Sequence, residues 1–248
     1  MTEQLKIKIK ELQTTSPFIN SLVMRMRFGK LFNSVKKNIR GKHNSITHKY
    51  AILSSVNFKI QGDNNTIEIA QGTVLNNVVF KIYGNNHHII IGRNCHFNHG
   101  SNIHMEDSHC TLRIGDYSSF EDVHFALTEP HSKITIGEDC MFANHIDIRT
   151  GDSHSIFSNQ TNERVNHAED VRIGDKVWVA SKCSLLKGTT IPSHSVVATG
   201  AIVTKKYHEQ GILIGGIPAK KLKEGIHWTR HRIYREFTSL LDAPKSNS

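Results

Sequence analysis

From residue 66 to residue 203 the apolar positions follow neither a helical period nor plain alternation. Five segments, TIEIAQGTVL (66–75), HIIIGRNCHF (88–97), TLRIGDYSSF (111–120), KITIGEDCMF (133–142) and DVRIGDKVWV (170–179), align without a gap. Each places an aliphatic residue, a Gly or Ala, two polar residues, a small residue and a further apolar one in the same order. The opening aliphatics Ile69, Ile91, Ile114, Ile136 and Ile173 stand 22, 23, 22 and 37 residues apart. After Ile173 a six-residue register continues through Val179, Leu185, Ile191, Val197 and Val203, with Val177, Cys183, Thr189, Ser195 and Ala201 at its fifth position. A fixed repeat of this kind predicts a solenoid of short parallel strands, with the aliphatic and the small residue turned into a narrow core and the glycine permitting the corner. Three hexads, roughly eighteen residues, close one triangular coil, and the longer upstream intervals leave room for small corner loops.

The 37-residue interval is one ordinary coil plus an insertion of about fifteen residues, so a loop is expected to protrude near 152–170. His154 opens it and Trp178 follows its end. The flanks differ from the middle: FINSLVMRMRFGKLFNSVKKNI (18–39) and GIHWTRHRIYREFTSLLDA (225–243) carry apolar stripes that read as amphipathic helix. The expected organisation is a basic, mainly helical segment at 1–50, a β-solenoid at 51–208 and a tail with a helix at 209–248.

Length and charge narrow the function. A chain of 248 residues fits one domain with appendages, and it has no apolar run of membrane-spanning length and no secretory signal at its N-terminus, so a cytoplasmic protein is expected. The net charge of +9 is carried by the first fifty residues, where eleven Lys and Arg face Glu3 and Glu11. That segment suits a cap over the open end of a solenoid, or peripheral attachment to the inner face of an anionic membrane; no recognition motif supports nucleic acid. The four cysteines form no CxxC pair. Cys95, Cys140 and Cys183 fall at the small inward position, whereas Cys110 stands outside the register.

The hexads, IGDKVWVAS, ATGAIVTK (198–205) and GGIPAKKLK (215–223) resemble the hexapeptide-repeat acyltransferases, left-handed parallel β-helix enzymes that form trimers and use acetyl-CoA. The closest similarity is to sugar and capsular polysaccharide O-acetyltransferases. Left-handedness rests on that resemblance alone, since ordinary parallel crossovers are right-handed in about 98% of cases. In galactoside and maltose O-acetyltransferases a catalytic His lies 24 residues before the Trp of the VWIG hexad, and His154 and Trp178 stand 24 apart. The resemblance therefore implies His154 as general base and Trp178 as a wall beside acceptor and thioester. It implies Ser181, Thr199, Gly200, Thr204 and Lys205 along the pantetheine arm and phosphates, and Lys220 and Lys223 near the nucleotide phosphates. Ala180 departs from the usual Gly in that hexad.

The chemistry agrees with that equipment. An imidazole of ordinary pKa near 6.5 can take the proton of a sugar hydroxyl as it attacks a thioester, a contribution of about 10²- to 10⁴-fold. Asn144 and His145, just before the loop, are candidate acceptor contacts, with His145 the competing base. Arg149 and Arg164 could pair with an acidic sugar. The expected function is acetyl-CoA-dependent O-acetylation of a polysaccharide hydroxyl by direct transfer in a homotrimer with sites between subunits. The alternatives are N-acetylation of a nucleotide-linked amino sugar and a non-catalytic scaffold. His104, His109, His124 and His131 raise the zinc site of γ-class carbonic anhydrases, and no metal is expected because that chemistry has no use for the acyltransferase tail.

Overall fold

The computed structural model describes residues 34–234, and these form a triangular parallel β-solenoid. Each coil contributes one strand to each of three faces. Face A has eight strands, from Val35–Arg40 to Ile202–Val203; face B has seven, from Ser45–Thr47 to Thr190–Ile191; face C has nine, from Ile52–Ser54 to Ala219–Lys223. The chain visits A, B and C in that order. All neighbours are parallel except Leu213–Gly216 and Ala219–Lys223, which pair antiparallel and finish face C.

The hexad register is what stacks the coils. Phe97, Phe120, Phe142 and Val179 lie in direct register on face C, all fully buried. Their rings stack face to face, with centroids 4.5 Å apart for Phe97 and Phe120 and 4.9 Å for Phe120 and Phe142. Small inward residues make a second kind of column at each corner. Between faces B and C these are Thr73, Cys95, Ser118, Cys140, Val177 and Ser195, where Thr73 Oγ1 accepts from the Cys95 N–H at 3.1 Å and Ser118 Oγ from that of Cys140 at 3.1 Å. Their hydroxyls thus satisfy corner amides that a purely aliphatic column would leave unpaired. Burial pushes the Cys95 and Cys140 thiols up to about 12, so these cysteines are inert packing.

The hexad glycine acts differently from the expectation. Gly115 does not take the left-handed conformation; a Cβ there would lie 2.6 Å from the backbone carbon of Gly137 in the next coil. It is close approach between coils that requires glycine, and the left-handed residue comes two positions later, at Tyr117, Asp139 and Lys176 (φ 61, 52 and 50).

Three further expectations are corrected. Residues 35–40 are strand, not helix: Val35 and Ile39 pair with Val56 and Ile60, so the solenoid starts sixteen residues before its expected start at 51. The rest of the expected N-terminal helix lies outside the described residues. Residues 225–234 hold no helix, because their side chains bind the coil corners instead; 235–248 lie outside the described residues. Cys110 is in register after all. It is the small residue of the A–B corner, in a column with Asn65, His87 and Ser132: its N–H donates to His87 Nδ1 at 3.2 Å, and Ser132 Oγ donates to its sulfur at 3.5 Å.

Candidate active site

The insertion leaves the solenoid at the corner between faces A and B, after the strand Ile146–Arg149, and returns at Val171–Ile173. Outside the coil it doubles back: Phe157 and Arg164 form an antiparallel bridge, and the Val165 N–H donates to the Ile156 carbonyl at 2.9 Å. Its root is pinned by Asn166, a buried residue. The Asn166 amide donates to Asp152 Oδ2 at 3.0 Å and to the His154 carbonyl at 2.7 Å, and its oxygen accepts from the Ile156 N–H at 2.7 Å. Lys187, one coil on, closes the base of the loop through an ion pair with Asp152 at 2.5 Å. Lys187 holds the Asp152 carboxyl below its ordinary value against the upward push of partial burial.

His154 sits in this frame with its backbone held and its side chain exposed; no protein group within the described residues hydrogen-bonds its ring. Neither arginine near it is free. Arg149 grips Asp147 with Nε at 2.6 Å and Nη2 at 3.0 Å, and Arg164 pairs with Glu129. His124 binds the same Asp147 carboxylate at 2.9 Å. Burial pushes that carboxyl up, and the His124 and Arg149 hydrogen bonds outweigh it, so it lies below its ordinary value. Among the described residues no group of three His, Cys, Asp or Glu is placed to hold a metal ion. His104 and His124 lie on face A, whereas His109 and His131 stack at 4.8 Å at the A–B corner.

Trp178 lies elsewhere. It projects from face C, in register with Met141 and Val196, above a shallow cleft of about 410 Å³ whose floor includes Ser119, Met141 and Ala143. Beside this column runs a second one of small residues, Ala143, Ala180, Ala198 and Gly215, a narrow track up the face that Leu222 covers at Gly215; a Cβ on Gly215 would come 2.8 Å from Leu222 Cδ1 and 3.0 Å from the Ala198 Cβ. Asn144, His145, Ser181, Thr199 and Gly200 flank the track at the corner between faces C and A. There the Gly200 N–H donates to the Ser181 carbonyl at 2.9 Å, the Lys182 N–H to that of Asn144 at 2.9 Å, and His145 pairs with Asp122 at 2.9 Å. The track ends at the last strand pair, where Lys220 lies across from Gly215 and Lys223 across from Leu213. The intervening Lys221 is taken by Glu209 at 2.5 Å and Glu224 at 2.8 Å, whereas Lys220 and Lys223 are exposed.

The anticipated residues thus fall into two groups. Trp178, Ser181, Thr199, Gly200, Lys220 and Lys223 share face C and its edge with Asn144 and His145. His154 and Arg164 occupy the A–B corner, with Thr204 and Lys205 after the last strand of face A and Arg149 on that face. The spacing of 24 residues spans most of the insertion, the face B strand and one corner of a single coil, and it did not reveal that its two ends emerge on different sides of the prism. Sequence reasoning missed Asn166, Asp152 and Lys187 at the loop root, and Trp228 and Arg230, which reach the Trp178 cleft from the C-terminal segment.

Comparison with known proteins places this architecture. The Curlin associated repeat matches residues 62–92, little more than one coil. The polysialic acid O-acetyltransferase of Neisseria meningitidis is 34% identical over 208 residues, covering 75% of this chain and 94% of the relative. The crystal structure of the polysialic acid O-acetyltransferase OatWY superposes with a TM-score of 0.77 at 29% identity, covering 86% of this chain and 97% of that one. The polySia-specific acetyltransferase NeuO gives a TM-score of 0.64 at 26% identity, covering 82% and 91%. With that length of shared sequence and the same solenoid, the chain belongs to the family of hexapeptide-repeat capsular O-acetyltransferases.

Proposed function

We propose that the chain transfers an acetyl group from acetyl-CoA to a hydroxyl of an acidic capsular polysaccharide, in a site built from two copies of the chain. The observation that carries this reading is the free imidazole of His154, held by its backbone at the root of the loop. His154 accepts the proton of the acceptor hydroxyl; the oxygen attacks the thioester carbonyl; the carbon–sulfur bond breaks; and the thiolate leaves as CoA thiol after taking the proton from the imidazolium. The products are an O-acetyl ester and CoA, with no acyl-enzyme.

The small-residue track on face C suits the slender pantetheine arm, with Ser181, Thr199 and Gly200 along its edge and Lys220 and Lys223 at its end for phosphate. Thr204 and Lys205, at the other corner, fit the same donor only from a neighbouring copy. In the closed ring of three that the family resemblance implies, the His154 corner of one copy faces the Trp178 cleft of the next. The relatives named for polysialic acid support an anionic acceptor. Such an acceptor would compete with Asp147 for Arg149 and with Glu129 for Arg164, contacts that an incoming carboxylate could replace in kind. The basic first fifty residues suit the inner face of an anionic membrane, where a cytoplasmic enzyme would meet nascent polymer.

The test is thiol release from acetyl-CoA with a panel of neutral and acidic polysaccharides, wild type beside His154→Ala. Release that depends on an acidic glycan, falls by at least about a hundredfold in the variant and leaves base-labile acetyl on the product supports the reading. Equal activity in a folded His154→Ala removes the base, and base-stable product points to N-acetylation.

A further inference from the structure

The segment after the last strand does not trail away from the solenoid. Ile226 donates its N–H to the Gly211 carbonyl at 2.9 Å, and residues 226–234 then run back along the corner between faces B and C, against the direction in which the coils were laid down. Three successive coils hold them. At the first, Trp228 Nε1 donates to the Lys176 carbonyl at 2.6 Å. At the second, Arg230 donates through Nη2 to the Cys140 carbonyl at 2.9 Å and through Nε to Asp139 at 3.0 Å. At the third, the same guanidinium reaches Ser119 Oγ at 2.8 Å and the Tyr117 carbonyl at 3.3 Å. Lys176, Asp139 and Tyr117 are the left-handed corner residues, two of whose carbonyls face outward to be bound here.

The consequence lies on face C. Trp228 is brought to 6.1 Å from Trp178, ring centroid to centroid, at an interplanar angle of 48°, and the Arg230 guanidinium lies 5.9 Å from the Trp228 ring. Arg230 also lines the cleft under Trp178, together with Ser119 and Met141, and Asn98 and Glu121 offer polar groups at the end farther from Trp178. Trp178 over this floor, Trp228 beside it at the rim toward the B–C corner, and polar groups at the far end form a surface suited to a sugar ring with a further residue beyond it.

We propose that residues 225–234 are the fixed wall of the acceptor groove, with Trp228 supplying its second aromatic face and Arg230 acting as the positioning residue that holds it. This rests on the functional reading above and adds to it an acceptor of more than one sugar residue. Arg230 fits the task because its planar fork can bridge two coils at once, which a lysine ammonium cannot do. Four of its five N–H groups are committed to the solenoid, so it acts chiefly through Trp228 and the wall.

The chain's only two tryptophans are Trp178 and Trp228, which gives the test a signal that needs no substrate. The full chain is compared with Arg230→Ala, Trp228→Ala and the double variant by the tryptophan exciton couplet in circular dichroism and by steady-state kinetics on a polymeric acceptor. The expected result is loss of the couplet in all three and a rise of about tenfold in acceptor KM, with the KM for acetyl-CoA unmoved. The double variant is no worse than either single, because both residues act through one wall. A folded Arg230→Ala that keeps the couplet and the wild-type acceptor KM overturns the proposal, as does an additive double variant. A wild type that releases no thiol with any glycan overturns the functional reading itself, and the couplet tells that failure apart from failure of the wall.

Discussion

Replacing Asn166 by aspartate removes two hydrogens and adds a charge without changing shape, and it strikes the loop at the point where His154 is held. The Asn166 amide donates at 2.7 Å to the His154 carbonyl and at 3.0 Å to Asp152 Oδ2. An aspartate keeps the acceptor for the Ile156 N–H but loses both donations. A buried hydrogen bond of this kind is worth about 1 kcal/mol, and leaving its partner unpaired costs about 1–3 kcal/mol. Two carboxylates in contact add repulsion of up to about 4 kcal/mol at an effective dielectric constant of 20, reduced here because Asp152 is partly solvated and paired with Lys187. A local loss of about 3 kcal/mol is therefore reasonable, enough to free the loop root but not the coils, whose columns do not include Asn166. The predicted result for Asn166→Asp is a fall in kcat/KM of between about tenfold and a hundredfold, at about 1.4 kcal/mol per tenfold. Amide exchange should rise across 152–166 while the melting temperature stays within a few degrees of wild type. Unchanged exchange in the loop together with activity within twofold would refute the role given to this side chain.

Other expectations follow from the same geometry. Lys220→Ala and Lys223→Ala should each raise the KM for acetyl-CoA severalfold with little change in kcat, whereas Lys221→Ala should not, since Lys221 is committed to Glu209 and Glu224; steady-state kinetics at saturating acceptor decides. Phe120→Ala, in the middle of the stacked column, should cost about 3–5 kcal/mol and lower the melting temperature by roughly 10 °C for a domain of this size, read by calorimetry. For pH, the Asp152 carboxyl is depressed in the folded chain, so its tie to Lys187 contributes fully above the ordinary carboxylate value near 3.9 and is lost as pH falls through the lower folded value. Hydrogen-exchange protection at the loop root, corrected for the pH dependence of intrinsic exchange, should fall below about pH 4 in wild type, and Lys187→Met should show that looseness already at neutral pH.

The solenoid was legible because its signal is a side-chain period. Ile, small residue and apolar residue recur at the positions that must face inward, and the same positions stack in the structure. Where a short segment satisfied two periods the reading failed: Val35 and Ile39 are four apart, as on a helix, yet both alternate inward on a strand and pair with Val56 and Ile60. Cys110 escaped because the register was followed from the aliphatics, and its corner column mixes Asn, His, Cys and Ser. At the site, the family resemblance singles out His154 and Trp178 by their spacing, which carries no information on which face each occupies. The partners of Arg164 and Arg230 lie 35 and about 90 to 113 residues away, so no local pattern announces them. Trp228 falls inside the segment expected as helix for the same reason: its indole N–H finds a carbonyl 52 residues distant.

Whether base and tryptophan meet across two copies of the chain, as proposed, is decided by complementation. His154→Ala and Trp178→Ala, each inactive alone, are co-expressed in equal amounts and the mixed assemblies are purified. If each site takes His154 from one copy and Trp178 from its neighbour in a closed ring of three, the mixed assemblies recover about a third of wild-type activity, because one of the three neighbouring pairs in every mixed ring combines an intact His154 with an intact Trp178 in the right order. If both residues serve a site within one chain, every site keeps one defect, and the mixed assemblies stay as inactive as either variant.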